Sequence, residues 1–367
     1  MFGIEFPIFA FTHCRDVVVA VSKAGGLGVL GAVGHSPESL EIDLAWIEAE
    51  LGGRPYGVDL LIPVSYVGQE EGGLDRKRTE ALIPEEHQQF MDDVLARYDV
   101  PDLPERTDRP STTGLSLTLN RAQPLVDIAL AHNIALIANA LGPPSPELVA
   151  AAHERGIKVA ALAGSKSHAV RHKAAGADLI IAQGYEAGGH TGEVASMVLI
   201  PEVVDAVAPV PVLGAGGIAT GRQMAAAMAL GAEGVWCGSV WLTTEESEVV
   251  SVIKDKFLAA TTSDTVRSTS MTGKPARMLR SAWTAEWERP DTPDPLPMPL
   301  QSQLVARPQA RIRNYAHASP GAAQLSQYFC GQVVGYADRI RPAGRVVLDM
   351  VEEFIDAVGR MDGFLKE

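Results

Sequence analysis

The segment Gln183-Gly-Tyr-Glu-Ala-Gly-Gly-His-Thr-Gly-Glu, residues 183–193, combines the residue types that an active-site loop requires. The apolar run Asp178-Leu-Ile-Ile-Ala that precedes it is typical of a buried strand. The glycines allow the backbone to turn sharply and to approach a ligand closely. His190 is the one side chain of the segment whose ordinary pKa lies near neutral pH, as general-base catalysis requires. We therefore expect a catalytic role for His190; a tight turn with a surface histidine is the alternative.

A second glycine-rich segment, Leu213-Gly-Ala-Gly-Gly-Ile-Ala-Thr-Gly, joins a predicted strand to a predicted helix. Consecutive glycine amides at a helix N-terminus bind anions. Gly214, Gly216 and Ala219 also match the dinucleotide fingerprint, but the next strand ends in Gly238-Ser239 and not in the acidic residue of a Rossmann domain. Two glycine turns after consecutive strands favour the phosphate site of a barrel instead. Tight turns without a ligand are the alternative.

Short apolar runs alternate with amphipathic stretches from Gly3 to about Lys256. The runs are bare of charge, as in strands covered on both faces; they are Phe6–Ala10, Leu27–Leu30, Tyr56–Ile62, Ala135–Ala138, Lys158–Ala161, Asp178–Ala182, Val210–Leu213 and Gly234–Cys237. The predicted helices between and after them are Asp16–Ala24, Pro37–Leu51, Arg121–His132, Pro146–Arg155, Ser167–Ala175, Pro201–Val207, Gly221–Leu230 and Glu246–Ala260. Eight strands, each followed by a helix, predict an α/β fold, a (β/α)₈ TIM barrel, for residues 1–260.

Two regions lie outside this alternation. Residues 65–119 are predicted to be a polar βα-loop insertion, and the pattern of Pro84–Arg97 predicts a helix within it. The insertion could form a lid over the barrel mouth, a surface excursion or an oligomer contact, and the sequence leaves these alternatives open. Residues 261–367 are predicted to form a small C-terminal extension that packs on the barrel. It is expected to be irregular and proline-rich over Thr261–Arg311, with helices at Ala322–Val334 and Arg345–Met361.

Composition narrows the class of protein. The net charge is −14 and no long basic run occurs, which argues against nucleic acid or an anionic membrane as partner. The chain has three widely spaced cysteines, so we expect neither a disulfide framework nor a metal site. Neither a signal peptide nor an apolar run of membrane-spanning length is visible. These features predict a soluble cytoplasmic protein.

The glycine-rich and histidine motifs, together with Gly234-Val-Trp-Cys-Gly-Ser-Val-Trp-Leu, resemble those of nitronate monooxygenase, also called 2-nitropropane dioxygenase. The resemblance covers Phe6 to about Thr243, including Ala24-Gly-Gly-Leu-Gly-Val-Leu, and extends weakly to Gly273-Lys-Pro-Ala-Arg and Gly331-Gln-Val-Val-Gly. It implies an FMN-dependent barrel enzyme with a small-molecule substrate and O₂ as co-substrate. Flavin-dependent enoyl-reductases share much of the pattern.

The resemblance also implies roles for individual residues. His190 would be the catalytic base. The FMN phosphate would be held by the amides of Gly216, Gly217, Gly238 and Ser239. The remaining residues implied at the cofactor are Ala10, Phe11, Asp59, Gln183, Gly188, Trp236 and Cys237.

One departure from the family pattern concerns Asp59, which stands where the family usually has asparagine. We expect a carboxylate there to add negative charge beside the flavin and to disfavour its anionic reduced form. The preferred function is oxidation of alkyl nitronates or nitroalkanes with O₂ to a carbonyl compound and nitrite. The alternatives are an NAD(P)H-dependent enoyl-thioester reductase and a non-catalytic flavin-binding protein, and a homodimer stays open.

Overall fold

The computed structural model of the chain describes residues 1–61, 80–104 and 119–364. Eight parallel strands close into a barrel, with β1 paired to both β2 and β9. The barrel strands are β1 (Ile8–Thr12), β2 (Leu27–Gly31), β3 (Gly57–Leu60), β4 (Leu136–Asn139), β5 (Lys158–Ala163), β6 (Leu179–Gln183), β8 (Val212–Ala215) and β9 (Gly234–Cys237). Each coincides with one of the eight predicted strands, and the (β/α)₈ TIM-barrel prediction is confirmed.

Most of the helices that cover the barrel begin and end close to their predicted bounds, but α9 begins at Ser251, five residues after its predicted start at Glu246. They are α1 (Arg15–Lys23), α2 (Pro37–Leu51), α4 (Leu119–Ala131), α5 (Pro146–Glu154), α6 (Lys166–Ala174), α7 (Ser196–Val207), α8 (Gly221–Ala229) and α9 (Ser251–Ala259). Local signals explain the helix starts: Ser36 and Thr220 each form a capping box at the N-terminus of α2 and α8. The start of α7 was predicted five residues too late, because Pro201 was taken as the start of the helix although it lies inside it.

Side chains alternate between the two faces of the barrel wall. Val58 and Leu60 of β3 pack outward in one core cluster with residues of α2 and α4. Gly57 and Asp59 therefore face the barrel interior. The interior is filled by an apolar cluster to which most barrel strands contribute, including Phe9, Val29 and Trp236. The interior is thus a packed core that leaves ligand chemistry to the carboxyl ends of the strands.

A second sheet stands beside that end of the barrel. The two-residue strand β7 (Gly189–His190) pairs antiparallel with β11 (Ala276–Leu279), which pairs with β10 (Thr265–Ser268). Helices α10 (Ala282–Trp287) and α11 (Leu300–Tyr315) follow in the same region. The prediction that Thr261–Arg311 is irregular is therefore wrong. Pro308 lies inside α11, so proline density misled the prediction.

The end of the chain also differs from its prediction. A single helix over Ala322–Val334 is wrong: α12 ends at Leu325 (Pro320–Leu325), and a 3₁₀ turn covers Gln332–Tyr336. The stretch between them is held away from a helical path by Lys256 Nζ, which donates to the carbonyls of Gln324 and Ser326. The last helix, α13 (Ala343–Gly363), agrees with its prediction and packs on α8 and α1.

The insertion contributes one described helix, α3 (Glu85–Arg97), as predicted. Its apolar side packs against the chain's own C-terminal helices, with Phe90 edge-on to Trp287 at 4.9 Å between ring centroids. Arg97 forms an ion pair with Glu286, and the Tyr98 hydroxyl donates to the same carboxylate. Much of the predicted insertion, residues 65–79 and 105–118, lies outside the described residues. The predicted division at residue 260 stays a prediction.

Within the described ranges, none of the helices is both long enough and apolar enough to cross a membrane.

Candidate active site

His190 lies at the carboxyl end of the barrel, in a loop that the C-terminal hairpin holds from outside. Its strand β7 pairs with β11, with His190 opposite Ala276. The buried Arg277 guanidinium donates to the carbonyl of Tyr185 at 3.2 Å from both Nε and Nη2, and stacks on the Tyr185 ring. The loop after β6 is therefore fixed at two points by residues that follow it by more than eighty positions.

The His190 ring is held by a buried threonine. Its Nε2 lies 2.9 Å from the Thr272 hydroxyl oxygen, and that hydroxyl donates its hydrogen to the Lys274 carbonyl at 3.1 Å. Nε2–H is therefore the donor to Thr272, which leaves the lone pair on Nδ1. Nδ1 makes no hydrogen bond to a described residue.

Burial, together with the nearby Lys274 ammonium, lowers the pKa of His190 to about 4. The expectation of a base with a pKa near neutrality is corrected by this environment, because a buried imidazole loses the hydration that favours its charged form. At neutral pH the ring is uncharged and presents an acceptor nitrogen.

A cavity of about 530 Å³ opens beside this ring. Gln183, the last residue of β6, lines it together with His190, and Lys274, Met298 and Pro299 reach it from the C-terminal region. Loops and helices after β4 and β5 complete the wall with Ala140, Leu141, Gly142, Pro143, Leu162, Gly164, His168, Arg171 and His172. Arg171 and Lys274 give this cavity positive charge, which favours anionic ligands.

The two glycine turns lie where the sequence predicts an anion site. Gly216 and Gly217 have φ angles of +86° and +72°, a backbone region that side chains disfavour. Among the described residues, the amide N–H groups of Gly216, Gly217 and Gly238 have no hydrogen-bond acceptor. Half-buried amide donors at the ends of β8 and β9 fit a phosphate group.

Ser239 and Gly188 play a packing role that the sequence did not indicate. The Ser239 hydroxyl accepts a hydrogen bond from the Gly331 amide at 2.7 Å. A Cβ at Gly188 would lie 2.7 Å from the carbonyl carbon of Cys330, so only glycine lets the C-terminal segment approach this loop. The Gln332 amide donates to the Glu186 carbonyl at 2.9 Å. Residues 330–332 thus bridge the histidine loop and the end of β9.

Four of the residues expected at the flavin lie on β9 or at the end of β1, and they face opposite sides of the barrel wall. Phe11 and Trp236 stack with ring centroids 6.1 Å apart inside the barrel. Ala10 and Cys237 point outward into the cluster that packs against α1 and α13. Burial raises the pKa of the Cys237 thiol to about 12, so it is protonated. Ala10 and Cys237 can offer the cofactor backbone groups only.

Asp59 is 4% exposed and faces the barrel interior. Its carboxyl group makes no hydrogen bond or ion pair with the described residues, and burial raises its pKa well above the ordinary value. Burial in an apolar setting disfavours the charged form of a carboxyl group. The environment of Asp59 therefore opposes the negative charge that was expected at this position.

One group of possible metal ligands occurs in the described ranges, formed by Cys14, Asp16 and Glu248. The Cys14 thiol donates to the Glu246 carbonyl at 2.9 Å, and burial raises its pKa. A protonated thiol with a hydrogen-bond partner is a poor metal ligand, because metals bind the thiolate.

The parallel barrel is closed, with amide turns at one side of its mouth and an uncharged imidazole at the other. This arrangement defines a barrel enzyme with a small-molecule site. The family model of nitronate monooxygenase matches residues 1–353, and the chain belongs to this family. It is an oxidoreductase, a monooxygenase of the nitronate monooxygenase type. Family membership supports a flavin cofactor at this site.

Individual relatives agree with this assignment. A Mycobacterium tuberculosis protein, named provisionally as the monooxygenase Rv1533, is 64% identical over 368 residues that cover 100% of this chain and 98% of the relative. A Staphylococcus saprophyticus protein, named provisionally as a nitronate monooxygenase, is 30% identical and covers 90% of each chain.

Solved structures give the same architecture. A nitroalkane oxidase from Streptomyces ansochromogenes is 25% identical, with a TM-score of 0.81 and 98% of each chain covered. FabK from Thermotoga maritima is 27% identical, with a TM-score of 0.72, and covers 98% of this chain and 96% of that one.

Four residues of the site escaped the sequence analysis: Thr272, Lys274, Arg277 and Gly331. A signal for them existed, since the weak resemblance at Gly273-Lys-Pro-Ala-Arg and Gly331-Gln-Val-Val-Gly marks the same segments. Nothing in their local pattern indicated contact with His190.

Proposed function

We propose that this chain is an FMN-dependent nitronate monooxygenase that converts alkyl nitronates and O₂ into a carbonyl compound and nitrite. The observation that carries the proposal is the uncharged His190 ring, held by Thr272 beside a cavity with positive charge. An anionic substrate is attracted by the Arg171 and Lys274 side chains of the cavity wall. The uncharged ring keeps a free lone pair, so it can take the α-proton of a neutral nitroalkane without first losing a proton.

His190 is a catalytic residue in this proposal. Nδ1 takes the α-proton of a neutral nitroalkane, while the bond from Nε2 to Thr272 fixes the tautomer. Because the pKa of His190 is about 4, proton abstraction from a neutral nitroalkane is less favourable than use of a nitronate that is already ionised. We therefore expect nitronates to be better substrates than their neutral parents.

FMN would be held by its phosphate at the amides of Gly216, Gly217, Gly238 and Ser239. Gln183 and Phe11 would border its ring, with Trp236 below them in the barrel. When bound, the flavin supplies electron transfer between the carbon substrate and O₂. The protein positions the two reactants at the barrel mouth.

The experiment uses the purified protein loaded with FMN, in the absence of oxygen. Addition of a propyl nitronate should reduce the flavin, and subsequent O₂ should yield nitrite and propanal. NADH or NADPH alone should leave the flavin oxidised. If the flavin stays oxidised after the nitronate is added, and no nitrite forms in air, the nitronate monooxygenase function is excluded.

The alternative is an NAD(P)H-dependent reductase of an enoyl thioester, a class that shares the glycine motifs. The enoyl reductase domain of MlnA from Bacillus amyloliquefaciens has the same fold, at 14% identity and a TM-score of 0.67. Prompt bleaching of the flavin by NADPH, followed by reoxidation with a crotonyl thioester, would favour this reductase. The non-catalytic alternative loses its support, because the chain belongs to an enzyme family. Cytoplasmic location and a homodimer stay predictions.

A further inference from the structure

Lys274 and Arg171 both line the cavity of about 530 Å³, but they reach it from different elements. Arg171 lies on α6, on the side of the loops that follow β4 and β5. Lys274 lies in the turn from β10 to β11, two residues after the threonine that holds the His190 ring. Among the described residues that line this cavity there is no carboxylate to neutralise either cation. The two cations therefore differ in their relation to the reacting centre.

Lys274 is tied to His190 through its own backbone. The Thr272 hydroxyl that accepts Nε2–H from His190 donates to the Lys274 carbonyl at 3.1 Å, and the Lys274 amide lies 3.3 Å from the same oxygen. The Lys274 charge also reaches the ring, because it is the second cause, after burial, of the lowered pKa of His190, whereas Arg171 is not among the causes. One short segment thus fixes the imidazole and places a cation beside it.

The Lys274 ammonium is available to a ligand. Its side chain is exposed at the cavity, and Nζ has no hydrogen-bond or ion-pair partner among the described residues. Lys254 and Lys256, in contrast, donate Nζ to backbone carbonyls. An ammonium carries three N–H donors and a full positive charge, which suits an oxygen that bears negative charge. The oxygens of a nitronate are of this kind.

We infer that Lys274 is a second catalytic residue, whose ammonium binds the nitro oxygens and stabilises the charge that they acquire when His190 removes the α-proton. The inference rests on the proposed function. In this step the C–H bond breaks and its proton moves to Nδ1 of His190. The electron pair of that bond forms the C=N bond of the nitronate, and one negative charge spreads over the two oxygens. A cation fixed at these oxygens stabilises the transition state more than the neutral substrate.

The weakness of the base explains why such a cation is needed. With a pKa of about 4, His190 removes a proton from carbon only if the site makes the bound nitroalkane more acidic. Lys274 lowers the basicity of the ring and also the pKa of the nitroalkane. Proton transfer gains when the ammonium lies nearer to the nitro oxygens than to Nδ1, because Coulomb energy falls with distance. The same contact binds a nitronate that is already ionised.

The test compares FMN-loaded wild type with Lys274→Met, Lys274→Arg and Arg171→Met, with nitrite formation from 1-nitropropane as the readout. K274M should lower kcat/KM by about 10²-fold, as for loss of one donor to a developing oxyanion. K274R keeps the charge and should restore most of the activity. R171M removes an equal charge from the same cavity and should lower kcat/KM by about threefold at most, because solvent and salt screen a distant charge. Equal flavin content in all four proteins confirms that they fold.

A second measurement does not require turnover. Propionate, whose carboxylate has the charge and shape of a nitronate, is titrated into the FMN-loaded wild type and K274M by calorimetry, with propanamide as the neutral control. K274M should bind propionate about tenfold more weakly, as for loss of one hydrogen bond to a charged group, and should bind propanamide as the wild type does.

Three results would overturn the inference: wild-type kcat/KM in K274M, a loss in R171M as large as that in K274M, or equal propionate affinity in wild type and K274M. If the wild type oxidises 1-nitropropane or its nitronate, each of these results leaves the proposed function intact. A wild type that is inert to both substrates overturns the proposed function and the role of Lys274 together.

Discussion

The amide end of the site lies in turns that directly follow β8 and β9, whereas the histidine end depends on residues far along the chain. Gly216 and Gly217 adopt left-handed backbone conformations within their own turn. His190 instead donates a hydrogen bond to Thr272, 82 residues later, and its strand pairs with β11. One end is built locally and the other is assembled by the fold.

This difference shows how one barrel fold can keep its cofactor site while its reaction changes. Loops at the carboxyl face change without disturbing the barrel core. Here the hairpin of β10 and β11 contacts the histidine loop, through the pairing of β11 with β7. Changes in these segments should therefore alter catalysis while leaving flavin binding in place.

The largest effect should come from His190→Asn. Loss of the catalytic ring should lower kcat/KM for a neutral nitroalkane by about 10²–10⁴-fold, the usual contribution of a positioned base. Flavin content should stay near one per chain, because the amide turns are untouched. The measurement is nitrite formation together with the visible spectrum.

A matched control is His317→Asn, since His317 is exposed. It should behave as the wild type in both readouts. Normal turnover by H190N would remove His190 from the mechanism and make the loop a structural turn.

Gly216→Ala should show the opposite pattern. A side chain at φ +86° costs about 1–2 kcal/mol, and its Cβ would lie 3.0 Å from the Gly184 carbonyl oxygen. If the turn shifts to relieve this strain, FMN should bind about tenfold more weakly. Turnover at saturating FMN should change little.

Gly34→Ala provides the control, because a Cβ at Gly34 meets nothing within 4 Å. Unchanged FMN affinity in G216A would mean that this turn does not contact the cofactor.

The same contrast explains which parts of the molecule could be predicted. The barrel strands are short, uncharged and bounded by helix signals, so their composition alone reveals them. The position of His190 was predictable because its own loop carries the glycines. Thr272 and Arg277 were not, because β7 has only two residues and its pairing with β11 leaves no periodic pattern. The burial cost of a charge on Asp59 was not predictable, because a sequence does not show that its strand neighbours are Gly31 and Ala138.

Thr272→Val tests whether the distant support of His190 matters. Valine keeps the volume but removes the hydroxyl that accepts Nε2–H, so the ring loses its fixed tautomer. We expect kcat/KM to fall by about five- to tenfold, as for loss of one neutral hydrogen bond. Thr272→Ser should restore most of it. FMN affinity should be equal in all three proteins; a T272V enzyme with wild-type rates would show that strand pairing alone orients the ring.

The smallest expected effect concerns the dependence of kcat/KM on pH. The profile should show no break near about pH 6.5, where an ordinary histidine titrates. Burial lowers the pKa of His190 to about 4, so its uncharged form persists as the pH falls through about 6.5. With a neutral nitroalkane as substrate, kcat/KM should be flat from about pH 7 to about pH 5 and fall only near pH 4, where the base becomes protonated. A break near 6.5 would show that the ring is solvated in the working enzyme.

Lys274→Met should move the break upward, because it removes the second cause of the lowered pKa while burial remains. An upward shift with unchanged FMN affinity would show that Lys274, a residue outside the barrel, helps to set the pKa of His190.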